Sequence, residues 1–475
     1  MHAQTSSSTY SFKATASWAA AGSIAQVASQ VLAITVLARI LTPAEFGVVS
    51  AAALITQLAL IFSEFGVGPY VVQRLQLGAT ALGTCYVASC CLGAAVALLL
   101  WLSAPLLAHA LRVPELLQVL RAYAAVFIVA GASAVHDALL QRELDFRFLA
   151  RADAISFSLG YTGLSIVCAL LGFSYWSIVI GHLSQAVIRG IMVIARHPHV
   201  ARSPVSLAEL RPLLRFGGGQ TLSRLANYIA AQADGFVVTA RLGVTAIGYY
   251  GRANQLVTMP AVQLGQIFDK VLFPAIARMQ QDRSRSAAAY GRAITAISLL
   301  SLPLTALVWI LGAQIVHVAL GSQWQAVVQP MRILALAIPF RLIHKVSDPT
   351  ARAFGATYTR AWRQAVFALS VAVLAVGLSR YGLSAVAWGV VAASILDAAL
   401  MVWLCCALTG FSARQLARAL VPGARSGAVA ALLAGAAVLV MRPWHDQDLL
   451  VLAVAGVLSL GTLPLIAHSY RVHLQ

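Results

Sequence analysis

Gln220, Arg224, Asn227 and Asp234 fall at i, i+4, i+7 and i+14, which places all four on one side of a helix. The stripe combines two kinds of group suited to a phosphorylated, hydroxylated molecule. Arginine forks two parallel hydrogen bonds onto phosphate oxygens, and side-chain amides exchange hydrogen bonds with hydroxyls. The surrounding sequence is apolar, and a charge in hydrocarbon is costly unless it meets a partner or water. Arg224 and Asp234 lie about 15 Å apart along a helix axis, too far to neutralise each other. Either the stripe lines a water-filled cavity or its members pair with other helices.

Comparable patterns recur. Arg252, Gln255, Gln263, Gln266 and Lys270 share one helix side, with Asp269 about 100° away. Lys270 has a second explanation, a helix end from which it snorkels to the headgroups. Arg341, Lys345 and Asp348 align with His344 beside them, between Pro339 and Pro349. That pattern fits a helix broken at a cavity, and equally a basic juxtamembrane end. His182, Gln185 and Arg189 form another row, and the first half of the chain adds Gln26, Gln30, Gln57 and Glu64. The candidate anion and sugar ligands are therefore Arg224, Arg252, Arg189, Arg341, Lys345, Gln220, Asn227, Gln255, Gln266, Gln26 and Gln30. Asp234, Glu64 and Asp269 are candidates for coupling to a counter-ion, although Glu64, close to Gly66, also reads as a solvated helix end. His136, Asp137 and Asp397 stand alone in apolar runs, and no role is assigned to them.

The elements that carry these residues must cross a membrane. The 475-residue chain is 60% hydrophobic and 10% charged, with a mean hydropathy of +0.82. A soluble domain carries roughly a quarter charged residues, so most of this surface faces lipid. Continuous apolar runs of about twenty residues fit helices spanning a core of about 30 Å; barrel strands would alternate with period two. About fourteen spans fit. The expected architecture is an all-α polytopic integral membrane protein of two pseudo-symmetric six-helix bundles plus two C-terminal helices. The expected parts are a cytoplasmic tail at 1–17, an N-terminal lobe at 18–195, an inter-lobe linker at 196–212, a C-terminal lobe at 213–409 and two more helices within 410–475.

The formal net charge of +18 comes almost entirely from arginine. Arginines concentrate after even-numbered spans, such as Arg142, Arg147 and Arg151, or Arg278, Arg283 and Arg285. Under the positive-inside rule this bias makes those loops and both termini cytoplasmic. No basic run is interleaved with stacking aromatics, so nucleic acid is not an expected partner. The six cysteines lie in apolar runs without metal-ligand or redox spacing and read as small hydrophobes. The polar first 17 residues precede no cleavage site, so no removable signal peptide is expected.

One phrase occurs twice. Residues 36–50, VLARILTPAEFGVVS, correspond to residues 238–252, VTARLGVTAIGYYGR. Arg39 then falls on Arg241, Gln30 on Gln232 and, after one inserted residue, Gly47 on Gly248. Six spans separate the copies, so both run in one direction through the bilayer, a parallel repeat.

These residues, with GVGPYVVQR at 66–74, ALLQRELDFRFLA at 138–150 and VLFPAIARMQQD at 271–282, resemble the polysaccharide-transporter family of lipid-linked oligosaccharide flippases. That family comprises Wzx-like O-antigen, capsule and exopolysaccharide flippases of the multidrug/oligosaccharidyl-lipid/polysaccharide superfamily. The likeness is good over about the first 290 residues and one of hydropathy alone beyond them. It implies two six-helix lobes in a V around a central cavity and alternating access. It also implies export of undecaprenyl-diphosphate-linked repeat units across the bacterial inner membrane. The implied partners are that lipid-linked oligosaccharide, membrane lipids, the polymerase and chain-length proteins of the same pathway, and a proton or sodium counter-ion. No cofactor is expected. GGGQTLS at 217–223 lacks the Gly-Lys-Ser/Thr ending of a phosphate loop and reads as helix packing.

Three rivals remain open. A lipid II-type precursor flippase shares the architecture. A multidrug exporter favours acidic and aromatic residues where this chain is basic. A membrane polymerase or ligase needs a large external loop or a carboxylate pair, and the first external loop carries only Glu45.

Overall fold

The computed structural model describes residues 28–74, 76–441 and 448–456, with the side chains at 223, 260, 261, 263–271, 273, 274 and 357 excepted. Among the described residues there is no strand. The chain opens with α1 (Ala28–Ile40), α2 (Pro43–Glu64), the short α3 (Val67–Gln73), α4 (Ala79–Leu111) and α5 (Leu116–Arg142). Next come α6 (Phe146–Ile155), a π turn over Ser156–Gly163, α7 (Leu164–Leu170) and α8 (Trp176–Arg196). Two long helices follow, α9 (Leu210–Leu242) and α10 (Val244–Met279). Then come α11 (Arg283–Ile310), α12 (Gly312–Leu320), α13 (Val328–Ala335), α14 (Ile338–Ala353), α15 (Thr357–Leu378), α16 (Leu383–Thr409) and α17 (Ala413–Val440).

Among the described residues nine helices are long and apolar enough to cross a membrane, and a tenth span results if the bent pair α13–α14 is one crossing. The protein is a multi-pass membrane protein. The bend is 45° and falls just before Pro339, where proline removes a backbone donor. α9 and α10 are not among the nine, because their polar residues interrupt the apolar sequence.

The chain divides into two compact units. The first runs to Tyr228 and takes in Gly243–Thr245; the second holds Ile229–Leu242 and the chain from Ala246 onward. The division falls inside α9. Both copies of the repeated phrase fold alike, as a helix, a short break and a helix: α1–α2 in one copy, α9–α10 in the other.

Local chemistry explains the first break. Glu45 N donates to Thr42 Oγ1 at 3.4 Å, and Thr42 N donates to Glu45 Oε2 at 2.6 Å. With Pro43 at the first helical position, this reciprocal cap starts α2 and contributes about 1 kcal/mol. The helix stops where Phe65 and Gly66 turn into the left-handed region, at φ 33 and φ 67. In the second unit, small residues let α17 lie close on α11, where Ser298 Oγ donates to Ala419 O at 3.2 Å. Arg363 within α15 is only 4% exposed. It donates to Leu400 O and Thr359 O, and its guanidinium lies 5.3 Å from the Trp403 ring centroid.

The stretch between α8 and α9 is packed down rather than strung out. Its two 3-10 turns, Pro198–Arg202 and Leu207–Glu209, lie on the first unit. Val200 is fully buried with Val67, Val71, Leu82 and Val135. Ser206 N donates to Thr84 Oγ1 at 2.9 Å, and Arg74 forms an ion pair with Glu209. That guanidinium holds the Glu209 carboxyl below its ordinary value of 4.5. A carboxylate with a depressed pKa stabilises the folded state above its unfolded value and loses that contribution as pH falls through the folded value. Backbone exchange across 198–209, corrected for its intrinsic rate, should therefore quicken as pH drops below about 4.5. Glu209→Gln should show quick exchange already at neutral pH. Hydrogen–deuterium exchange by mass spectrometry measures both, and a strap equally protected in the variant and the wild type contradicts the role of this ion pair.

Candidate functional site

Each unit contains a polar cavity. In the first it measures about 630 Å3 and is walled by α2, α3, α5, α8 and α9. α9 is brought against the end of α2 by close backbone contact: a Cβ on Gly217 would lie 2.3 Å from Phe65 O, so only glycine fits. Two turns further along α9, Arg224 reaches Glu64 and forms an ion pair. Tyr228, one more turn on, donates to Leu54 O at 2.5 Å. Across the cavity, Arg189 on α8 bridges two acids, with Asp137 on α5 at 2.5 Å and Asp153 on α6 at 2.7 Å.

An adjoining space of about 240 Å3 shares Arg189 and adds Gln57, Tyr123, His182 and Gln185. Tyr123 Oη lies 3.0 Å from His182 Nδ1. The π turn helps to position this wall. Ser158 Oγ meets Ser29 Oγ at 2.8 Å, and a Cβ on Gly160 would come within 2.7 Å of Gln185 N. π turns widen a helix by one residue and recur at functional sites. Both arginines of this unit's cavities are thus already matched with carboxylates.

The second unit's cavity has a volume of about 380 Å3, with walls from α9, α10, α14, α15 and α16. Asp234 on α9 is 5% exposed. It accepts from Gly235 N at 2.9 Å and from the Tyr250 hydroxyl. On α14, Arg341 Nη1 donates to Asn254 Oδ1 at 3.4 Å, and Lys345 lines the same space. Among the described residues neither of these cations has an ion-pair partner. His344, between them, places Nδ1 2.7 Å from Asp397 Oδ2 on α16. Gln232, Gln364 and Phe367 complete the relevant lining. Chemically, one wall offers two cations for an anion, and the rest offers amides, a carboxylate and one aromatic face.

The structure distributes the residues singled out by sequence as follows. Arg189, Arg224 and Glu64 line the first unit's cavity, and Arg341, Lys345 and Asp234 the second's. Arg252 donates to Gln255 along α10, and neither lines the cavities described above. Asn227 is exposed on α9, Gln220 is half-buried beside Gly66, and Gln30 is half-buried on α1. Gln26 lies outside the described residues, as do the side chains of Gln266 and Asp269. Asp348 turns away to Arg352 and Arg360, at 3.1 and 3.3 Å. Sequence reasoning left Asp137, Asp153, His344 and Asp397 without roles, although a lone acid in an apolar run is itself a sign that a partner exists.

A family model described as "Polysaccharide biosynthesis protein" matches residues 36–329. The succinoglycan biosynthesis transport protein ExoT of Rhizobium meliloti is 29% identical over 374 residues, 78% of this chain and 72% of its own. The lipopolysaccharide biosynthesis protein WzxC of Escherichia coli is 24% identical over 340 residues, 70% of this chain and 68% of its own. Among solved structures, the lipid II flippase MurJ in an inward closed conformation superposes with a TM-score of 0.75 at 14% identity. That superposition covers 96% of this chain and 99% of MurJ, and at such low identity it speaks for the fold.

Proposed function

Because the chain belongs to the polysaccharide biosynthesis protein family, we propose that it is a flippase for undecaprenyl-diphosphate-linked saccharide units. It works by alternating access in the bacterial inner membrane, with both termini cytoplasmic, and supplies exopolysaccharide, capsule or O-antigen synthesis. The polymerase and chain-length proteins of that pathway are its partners downstream. The observation that carries the reading is the second unit's cavity. There Arg341 and Lys345, neither in an ion pair among the described residues although Arg341 attracts Asp234 at longer range, stand beside Asn254, Gln232 and Gln364. A diphosphate takes the cations, hydroxyls take the amides, and the isoprenoid chain remains in lipid. Moving negative charge outward is favoured by about 2.3 kcal/mol per charge per 100 mV of inside-negative potential, so export needs no nucleotide.

The test uses purified protein in liposomes loaded with an undecaprenyl-diphosphate-linked fluorescent trisaccharide. Exposure of the sugar to a membrane-impermeant oxidase should rise faster than in protein-free liposomes, and faster still under an inside-negative potential. Equal rates with and without protein would defeat the proposal.

A further inference from the structure

We propose that the Asp397–His344 end of the second unit's cavity is a saccharide subsite, in which Asp397 Oδ1 accepts a hydrogen bond from a sugar hydroxyl. The proposal rests on the flippase reading and names which residues read the glycan. Asp397 sits within an apolar run of α16 and is 6% exposed. Its Oδ2 lies 2.7 Å from His344 Nδ1, a close contact in which that nitrogen also lacks a well-aligned hydrogen bond. The other oxygen, Oδ1, is buried and has no hydrogen-bond partner among the described residues. A buried carboxylate oxygen left without a donor is costly, so the arrangement calls for a donor from outside the chain.

The cavity that this carboxylate lines fits an organic ligand. Its volume of about 380 Å3 lies in the range of roughly 300–1,000 Å3 usual for small-molecule sites, well above the ~30 Å3 share of one water. Phe367 gives an apolar face for the C–H side of a pyranose ring, and Gln364 beside it on α15 offers an amide donor and acceptor. The same cavity distinguishes a hydroxyl from a metal ion. Arg341 and Lys345 flank His344 on α14 and offset the charges of Asp234 and Asp397 in the same lining, so the cavity has no excess negative charge to draw a cation. A neutral hydroxyl is indifferent to that balance. The polarity also orders the headgroup: the phosphates go to Arg341 and Lys345, and the sugar goes to the carboxylate that would repel them.

The experiment measures affinity in the full-length detergent-solubilised protein. Probes are undecaprenyl diphosphate and its glucose, galactose and N-acetylglucosamine conjugates. Wild type should bind at least one conjugate tenfold or more tightly than the bare diphosphate. In Asp397→Asn that preference should shrink about ten- to a hundredfold, as expected for a lost hydrogen bond to a charged acceptor. If Asp397→Asn fails to fold, Phe367→Leu is read in the same way. A preference that survives in the folded variant overturns the subsite, as does a wild type that binds bare and conjugated lipid equally. Sodium-dependent affinity that disappears in Asp397→Asn with the sugar preference intact assigns Oδ1 to a cation and overturns it too. If wild type binds none of the probes, the flippase reading itself falls, and the subsite with it.

Discussion

The Arg341→Ala protein should flip the diphosphate-linked saccharide about 100-fold more slowly than wild type, with its expression and thermal stability largely kept. Arg341 donates one long hydrogen bond to Asn254 and makes no ion pair among the described residues, so its removal costs the fold that bond and a longer-range attraction for the buried Asp234. The larger loss falls on the ligand. Two charge-assisted hydrogen bonds to phosphate at about 1.5 kcal/mol each amount to about 3 kcal/mol, or two decades in rate. Arg341→Lys keeps the charge and forfeits the fork, so roughly a tenfold loss is expected. Arg283→Ala, at the exposed start of α11, serves as a control and should stay within about twofold, since exposed substitutions remote from such contacts are usually nearly neutral. The proteoliposome assay ranks the three variants. Equal losses in Arg283→Ala and Arg341→Ala would remove the phosphate assignment.

A different kind of damage is expected from Arg189→Ala. This guanidinium bridges Asp137 and Asp153, and its side chain is 30% exposed. Removing it leaves two neighbouring carboxylates with no counter-charge in a mostly apolar wall. Fully buried pairs lose about 3–5 kcal/mol on losing one partner and surface pairs less than about 1, so about 2 kcal/mol is reasonable for this half-buried bridge. The protein should melt several degrees lower in detergent. Adding Asp137→Asn should recover much of the loss, because the repulsion goes with the charge. Fluorescence-detected thermal unfolding provides the comparison, and a double variant no more stable than Arg189→Ala contradicts the account.

Sequence reveals the rows of polar residues and conceals what they face. Spacing at i, i+4 and i+7 places Gln220, Arg224 and Asn227 on one side of α9 because helix geometry is local. Their partners are not local: Glu64 lies 160 residues before Arg224, and Asp137 lies 52 before Arg189. A lone acid such as Asp397 therefore looks like noise until α14 brings His344 to it. Short-range signals were legible but easily misplaced. The Thr-Pro-Ala-Glu stretch at 42–45 is a start signal that the apolar pattern alone passes over, and α2 begins there at Pro43. Prolines 339 and 349 suggested a broken helix, and the bend sits just ahead of the first. The segment between α8 and α9 looked like a tether because its sequence is polar. Only packing reveals that Val200 is buried in the first unit.

The polar character of α9 and α10 also bears on how the chain is made. A central arginine or aspartate adds about 2.5–3.5 kcal/mol to the apparent cost of a helix leaving the translocon for lipid. Neither helix is among those apolar enough to do so unaided. α9 finds its satisfaction in parts synthesised long before it, Glu64 and the Leu54 carbonyl of α2. Tyr250 of α10 in turn meets Asp234 of α9. These contacts would order biogenesis: the early helices would form a docking template, α9 would be retained against it, and α10 would follow.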